Sequence, residues 1–524
     1  MTARHVCAFA AVILGGFLSL TGGAAHGTSG AQSGWSAARP LGSCVVAVGP
    51  RVAFPSESPS LATGPGAIVW VEDPVCASAS ARPPRFPFGL SVAALSPGGR
   101  TAFTHTQALH GAPAGELGAV GASRGRLAVG ASLGARGTSP AVALWQGRAT
   151  GPLESGPLLS GTGRLFSLAH AYLGDAAVAT VQPGVAIEVR VERYFRSRFE
   201  QPRRIAIGAE PVSALAATMD YRSDVLVAWQ QNGAIYAHML RASGRAEPTQ
   251  RVGTSAPNPQ LKALVSDNDH GMIAWSSAGG GARAASTSVR IAFSEAGVRF
   301  AGSRLVASFV DPEGAGHAPG SLALARLSTE NVMLAWTDAE AGHYVVRAAP
   351  AVFAGTRPAA RLSDPAGQSR LADLAPGPAG EAVALWSSTH GGSGIDPTRN
   401  ELWAARAFVE RHGRVGAGPA EIVASAGPNA DPSLAVDPAS DHAVAAWLTL
   451  AAHPSIEWAA GPGASGYRPG TPAAAAHPGS GTHSLRIALA AGAVAIVALM
   501  ILALRRRAGA RAAGGANRGM RRRR

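Results

Sequence analysis

Lysine is all but missing from this chain. Lys262 is the one lysine among 46 basic residues, and charged residues make up only 15% of the sequence, against roughly 25% in an ordinary soluble domain. The bias toward arginine reads as codon usage in a GC-rich, bacterial genome rather than as chemistry. Cysteine is nearly absent too, with three residues, no CxxC pair and no Cys/His cluster at zinc spacing. The 15 histidines contain no HExxH or other paired spacing, so nothing in the sequence calls for a metal or cofactor.

What charge there is lies unevenly. The formal net charge is +14, but nine arginines fall in the last twenty residues and Arg4 adds one more, leaving about +4 for the rest. That excludes a nucleic-acid reading based on net charge. Just before the arginines, Ile487 to Leu504 is an uncharged apolar run of 18 residues. As a helix it would be about 27 Å long, close to the thickness of a bilayer's hydrocarbon core. Arg505-Arg506-Arg507 after it place the tail in the cytoplasm, against anionic lipid headgroups. At the other end Arg4, the apolar stretch Val6 to Leu20 and Gly23-Ala24-Ala25 have the layout of a secretory signal; a retained N-terminal anchor is the alternative. The expected organisation is a signal over 1–25, a mobile lead-in over 26–40, an ectodomain over 41–460, a Pro/Gly/Ala/Ser stalk over 461–484, a transmembrane helix over 485–504 and a basic tail over 505–524. The expected address is the cell membrane, single-pass type I, with the ectodomain outside. Covalent wall attachment is a minor alternative, since Tyr467 to Thr471 lacks the order of a sorting signal. In an oxidising compartment the two cysteines of the mature chain, Cys44 and Cys76, are expected to pair.

Between the ends, 65 glycines and 37 prolines with short β-type runs favour an all-β protein. One apolar strand ending in tryptophan is written seven times, ending at Trp70, Trp145, Trp229, Trp275, Trp336, Trp386 and Trp447. Two further copies, Thr101 to His105 and Ala177 to Val181, fill the long gaps, so that the strand end recurs every 35 to 61 residues. Before it comes a short apolar strand and a polar turn, as in Ser433 to Val436 and Asp437 to Asp441. After it come a third strand, such as Tyr344 to Ala348, and a fourth, such as Glu421 to Ala424. Four short antiparallel strands per unit form a β-propeller blade. Seven blades are expected, with eight the alternative, and Leu41 to Val48 as the strand that closes the ring.

On this strand pattern and tryptophan slot, the chain resembles bacterial cell-surface β-propellers of the sialidase-like and WD-repeat-like superfold. The resemblance covers about 41–460 and implies the fold. Sialidases of that fold carry a Ser-x-Asp-x-Gly-x-x-Trp turn. Here the residues three before the seven tryptophans are Ala67, Val142, Leu226, Met272, Met333, Val383 and Val444, so the hallmark glycine is absent. The arginine triad and Tyr-Glu pair that the resemblance would imply are not singled out by any spacing of Tyr172, Tyr194, Tyr221, Tyr236 or Tyr344. The expected function is therefore a non-catalytic binding or scaffolding module for an extracellular protein or glycan, and a surface glycoside hydrolase is the alternative. Asp267-Asn268-Asp269 reads as an Asx turn rather than part of a calcium loop. Glu188 to Arg198 reads as a strand with one solvated face.

The connection after the tryptophan strand varies most. It spans five residues between Trp229 and Ile235, thirteen between Trp275 and Val289 and fifteen between Trp386 and Leu402. Insertions in one connection decorate one rim of a ring. Arg283, Asp338, Glu340, His390, Asp396 and Arg399 are the candidate ligand-face residues there.

Overall fold

The computed structural model describes residues 34–462 apart from short internal segments, among them 43–47, 73–87 and 280–285. No helix among the described residues is long and apolar enough to cross a membrane. The signal, the run Ile487 to Leu504 and the basic tail lie outside the described residues, as do Cys44, Cys76 and Arg283.

The strands assemble into eight antiparallel sheets of four or five strands each. The inner strands of blades 1 to 8 are Val48–Ala53, Ala112–Ala122, Phe166–His170, Val212–Met219, Gln260–Val265, Leu322–Arg326, Gly367–Pro376 and Asn429–Val436. Each packs beside the inner strand of the next blade, and the eighth packs beside the first. The ring therefore has eight blades, not seven.

Second strands are covered on both faces, which is why they read as unbroken apolar runs. In blade 4, Val225, Val227 and Trp229 pack toward blade 3 while Leu226 and Ala228 pack toward blade 5. Six tryptophans follow this rule: Trp70, Trp229, Trp275, Trp336, Trp386 and Trp447 are buried on second strands, each facing the preceding blade. Trp275 also donates its indole N–H to the Thr254 carbonyl of blade 4, 3.2 Å away. The indole N–H groups of Trp229, Trp336 and Trp447 find no acceptor. Packing outweighs that cost of about 1–3 kcal/mol apiece.

Blades 2 and 3 break the pattern, and that is where the sequence reading miscounts. Trp145 lies on the third strand of blade 2, Thr138–Arg148, and the second strand is Arg126–Ala135, which has no tryptophan. Thr101 to His105 belong to the fourth strand of blade 1, Arg100–Leu109. Ala177 to Val181 do lie on a second strand, Ala176–Gln182 of blade 3.

The ring is closed by its N-terminal strand, slightly earlier than expected. Arg39–Gly42 pairs with Ser455–Ala460 as the outer strand of blade 8, with Arg39 opposite Trp458. Ser36 donates its N–H to the Ala460 carbonyl at 2.8 Å and accepts the Ala460 N–H on its Oγ at 3.0 Å. Trp35 packs against the core shared by blades 7 and 8. The end of the stretch read as a lead-in thus takes part in the ring.

The expected solvated face on Glu188 to Arg198 is also corrected for the part described. Glu188 and Glu192 are buried on the third strand of blade 3, Ala186–Glu192. Glu188 pairs with Arg204 at 2.9 Å and Glu192 with Arg126 of blade 2 at 3.0 Å. Alternation on a blade marks which neighbour a side chain faces, and a carboxylate can face a blade that supplies an arginine.

Candidate functional site

Because strands alternate in direction, one face of the ring collects the turns between first and second strands. The other collects the connections between second and third strands. A cavity of about 490 Å³ opens where the inner strands end at the first of these faces. Six blades line it: Val52, Ala53 and Phe54 from blade 1, Ala119 to Gly121 from blade 2, and His170 from blade 3. The rest comes from Arg326 to Ser328, Leu374 to Pro378, and Leu434 to Val436 with Pro438, in blades 6, 7 and 8. Among the described residues of this lining, Arg326 and His170 are the cationic and titratable groups, and none is Asp, Glu or Tyr. Prolines at 376, 378 and 438 stiffen the turns that form its edge. Spacing could not reveal this cavity, because each blade contributes only a few small or apolar residues.

The described candidate ligand-face residues, all but Arg283, lie at the opposite end, on or beside connections after second strands. In blade 6 the strand runs on to Glu340 and turns through Ala341 and Gly342, both in the left-handed region. Asp338 and Glu340 share Arg347, at 3.0 and 2.7 Å, and Arg361 lies 3.4 Å from Glu340. In blade 7 His390 lies 3.4 Å from Glu401. Asp396, half-buried, accepts from the Thr398 hydroxyl and amide, which hold its carboxyl below the usual range, with help from Arg399. The structure thus gathers Asp338 with Glu340 on one hairpin, and His390, Asp396 and Arg399 on the next blade's connection. The polar residues that follow the tryptophans are largely buried structural groups: Thr337 Oγ1, for example, accepts the Leu371 N–H of the next blade at 3.0 Å.

Tyr344 is buried and donates its hydroxyl to Asp311, with the Arg370 guanidinium 4.4 Å from its ring centroid. Burial, then the bond to Asp311, push its pKa up. That is the opposite of what activates a phenolic nucleophile.

A second constellation escaped sequence reasoning. In three blades the acid just before, or opening, the second strand takes an arginine from the same blade: Asp175 from Arg193 at 3.0 Å, Asp224 from Arg241 at 2.7 Å, and Glu381 from Arg406. The next blade's turn then reaches in. Ser223 donates to Asp175, Asp269 lies 3.1 Å from Arg241, and Asp441 lies 3.4 Å from Arg406. Ser223, Asp269 and Asp441 all have positive φ, at 67°, 60° and 59°, a conformation that Asp and Asn tolerate better than most residues. These clasps bind blade 3 to 4, 4 to 5, and 7 to 8. At the junction of blades 4 and 5 they bring Asp220, Asp224 and Asp269 together, with one carboxylate oxygen of each within 4.8 Å of the others. Burial pushes the Asp220 carboxyl up to about 7, with Asp269 and Asp224 adding to the rise and the backbone N–H of Asp224 opposing it. The turn at 266–270, read as an Asx turn, is capped by Ser266 Oγ, which accepts from the amides of Asn268 and His270.

No protein-family profile matches the sequence, and no curated protein matches it. Among solved structures, the chain is similar to AofleA from Arthrobotrys oligospora at 11% identity and TM-score 0.33, over 57% of this chain and 83% of that one. It is similar to the NanB sialidase from Streptococcus pneumoniae at 8% identity and TM-score 0.35, over 67% of this chain and 68% of that one. A third is a polysaccharide lyase of family PL25, an ulvan lyase, at 10% identity and TM-score 0.38, over 64% of this chain and 89% of that one. At these identities the likeness is one of fold.

Proposed function

We propose that the chain is a non-catalytic binding or scaffolding module. Its eight-bladed ring is carried outside the cell on the stalk over 461–484 and a transmembrane helix over 485–504, with the basic tail on anionic lipid. The observation that carries the binding reading is the channel-mouth cavity, whose described walls are apolar and proline residues with Arg326 and His170 among them. Such a site favours a ligand that sets an anionic group against Arg326 and an apolar or sugar face against the walls. The partner class is an extracellular protein or glycan. A surface glycoside hydrolase is the rival class. It would need two carboxyl groups about 5–9.5 Å apart across the substrate, and the described residues of the cavity lining supply none.

The test is capture of acidic and neutral glycans by the purified protein, beside Arg326→Ala and a variant with short connections in place of 276–288 and 387–400. Loss of capture in Arg326→Ala supports the channel mouth. Loss only in the loop variant moves the site to the opposite rim. Release of sugar from any captured glycan overturns the non-catalytic reading.

A further inference from the structure

Five first-to-second-strand turns share one hydrogen bond, in which the residue after the inner strand donates its N–H to the carbonyl of the residue just before the second strand; in blades 3 and 6 the donors are Ala171 and Leu327, and in the other three they are polar. Asp220 bonds Asp224 in this way, Ser266 bonds His270, and Asp437 bonds His442. Asp220, Ser266 and Asp437 are therefore equivalent, and each caps its turn with its side chain. Ser266 Oγ takes two amides. Asp437 Oδ1 takes the Ala439 amide and its Oδ2 the Ser440 hydroxyl, so neither oxygen is left over. Asp220 uses Oδ1 alone for the amides of Arg222 and Asp224, at 2.9 and 2.8 Å.

The second oxygen, Asp220 Oδ2, is buried on a side chain with no solvent exposure and accepts no hydrogen bond. Asp269 Oδ1, from the turn of the next blade, is buried and unpartnered as well. Arg241 and Arg222 are held by the other oxygen, Asp269 Oδ2, at 3.1 and 3.2 Å. Arg241 also contacts Asp224 and lies 3.6 Å from Glu247. Among the described residues no arginine lies within ion-pair distance of Asp220. Asp220 is thus a buried carboxylate for which the clasp supplies no cation, whereas its counterpart Asp437 has both oxygens satisfied.

We propose that Asp220, Asp224 and Asp269 hold a hard divalent cation at the junction of blades 4 and 5, with Asp220 Oδ2 and Asp269 Oδ1 as its primary ligands. The donors are all oxygen, which selects calcium, magnesium or manganese over zinc or copper. Two ligands on opposite sides of a calcium ion at about 2.4 Å stand up to about 4.8 Å apart, and one carboxylate oxygen from each of the three residues falls within that separation of the others. Calcium's irregular shell, completed by water, suits three carboxylates that already share an arginine better than magnesium's octahedron does. The ion would tie two blades together from the turns of both. This site is independent of the channel mouth.

The test uses the full chain, stripped with chelator and titrated with calcium chloride, read by calorimetry and by thermal unfolding. Saturable binding of one ion per chain is expected, with a rise in Tm that chelator reverses. Asp220→Asn keeps the capping oxygen and removes the charge, and should weaken calcium binding at least ~10-fold. Asp269→Asn, from the other blade, should do the same, while Asp437→Asn at the equivalent turn should leave binding unchanged. No binding by the parent chain overturns the site, as does unchanged affinity in both Asp220→Asn and Asp269→Asn. Should one variant fail to fold, the other decides.

Discussion

Trp145 stands directly opposite Val129, one strand farther out than the other interface tryptophans, yet on the face of its blade that meets the preceding one. The interface between blades 1 and 2 is thus filled from the third strand, with Leu127, Val129 and Ala131 supplying the second-strand contribution. If position on the sheet does not matter so long as the indole reaches the interface, Trp145→Ala should cost about as much as Trp229→Ala. For a buried tryptophan that is about 3–5 kcal/mol, measured by denaturant unfolding. A loss below about 1 kcal/mol for Trp145→Ala would show that its ring is not part of the packed interface.

The clasps predict a sharp contrast between two arginines. Arg406 is 3% exposed and serves Glu381, Asp441 and the carbonyls of Asp441 and Pro462. Arg406→Ala leaves two carboxylates without their cation and should destabilise by about 3–5 kcal/mol. Arg347, partly exposed between Asp338 and Glu340, should cost at most about 1 kcal/mol when replaced. Similar losses for both would mean that the buried clasp adds nothing beyond a surface ion pair.

The pH response should carry a signature of His238. Its ring is buried on the third strand of blade 4, with Nδ1 3.0 Å from Thr249 Oγ1, and burial holds its pKa below the ordinary 6.5, Glu247 partly opposing. The folded chain then binds this proton less readily than the unfolded chain. Stability is full above about 6.5 and falls as pH drops from there through the folded pKa. Melting curves from pH 7.5 to 5.0 should slope less in His238→Gln than in the parent chain. Parallel slopes would remove His238 as a source.

Cys44 and Cys76 should be joined. The described strand ends on either side of Cys44, Gly42 and Val48, lie on the same side of the ring as those on either side of Cys76, Glu72 and Phe88. A loop of about 30 residues closed there is worth roughly 3–4 kcal/mol on a chain-entropy estimate. Peptide mapping without reductant should recover the linked pair; free thiols at both positions would refute it.

The propeller was legible because a second strand buried on both faces must be apolar throughout, and a large indole fits best where two sheets diverge. Six blades announce themselves that way. Blade 3 does not, because Thr180, five residues after Asp175 as Trp229 is after Asp224, takes the tryptophan's place, its hydroxyl without a partner. Blade 2 misleads because its tryptophan changes strand. The clasps stayed hidden for another reason. Each joins an acid, an arginine 17 to 25 residues later and a turn residue of the following blade, and the insertions between them vary. An acid just before a second strand, followed by an arginine at the end of the third, was the signal available in Asp175 with Arg193 and Asp224 with Arg241. The channel mouth leaves no mark in sequence, since it exists only where six blades meet.

The closing strand imposes an order on assembly. Ser36 and Ala460, which share two hydrogen bonds, are 424 residues apart in the chain. At a synthesis rate of roughly 5–20 residues per second, the segment that seals the circle waits some tens of seconds for its partner to be made. Until then seven blades stack as an open arc whose two end sheets each leave an apolar face uncovered, and Arg39–Gly42 is a strand without its ladder partner, the kind of edge that recruits other strands. Contacts of such sequence separation also form slowly. Closure by Arg39–Gly42 thus comes after the rest of the ring has been synthesised.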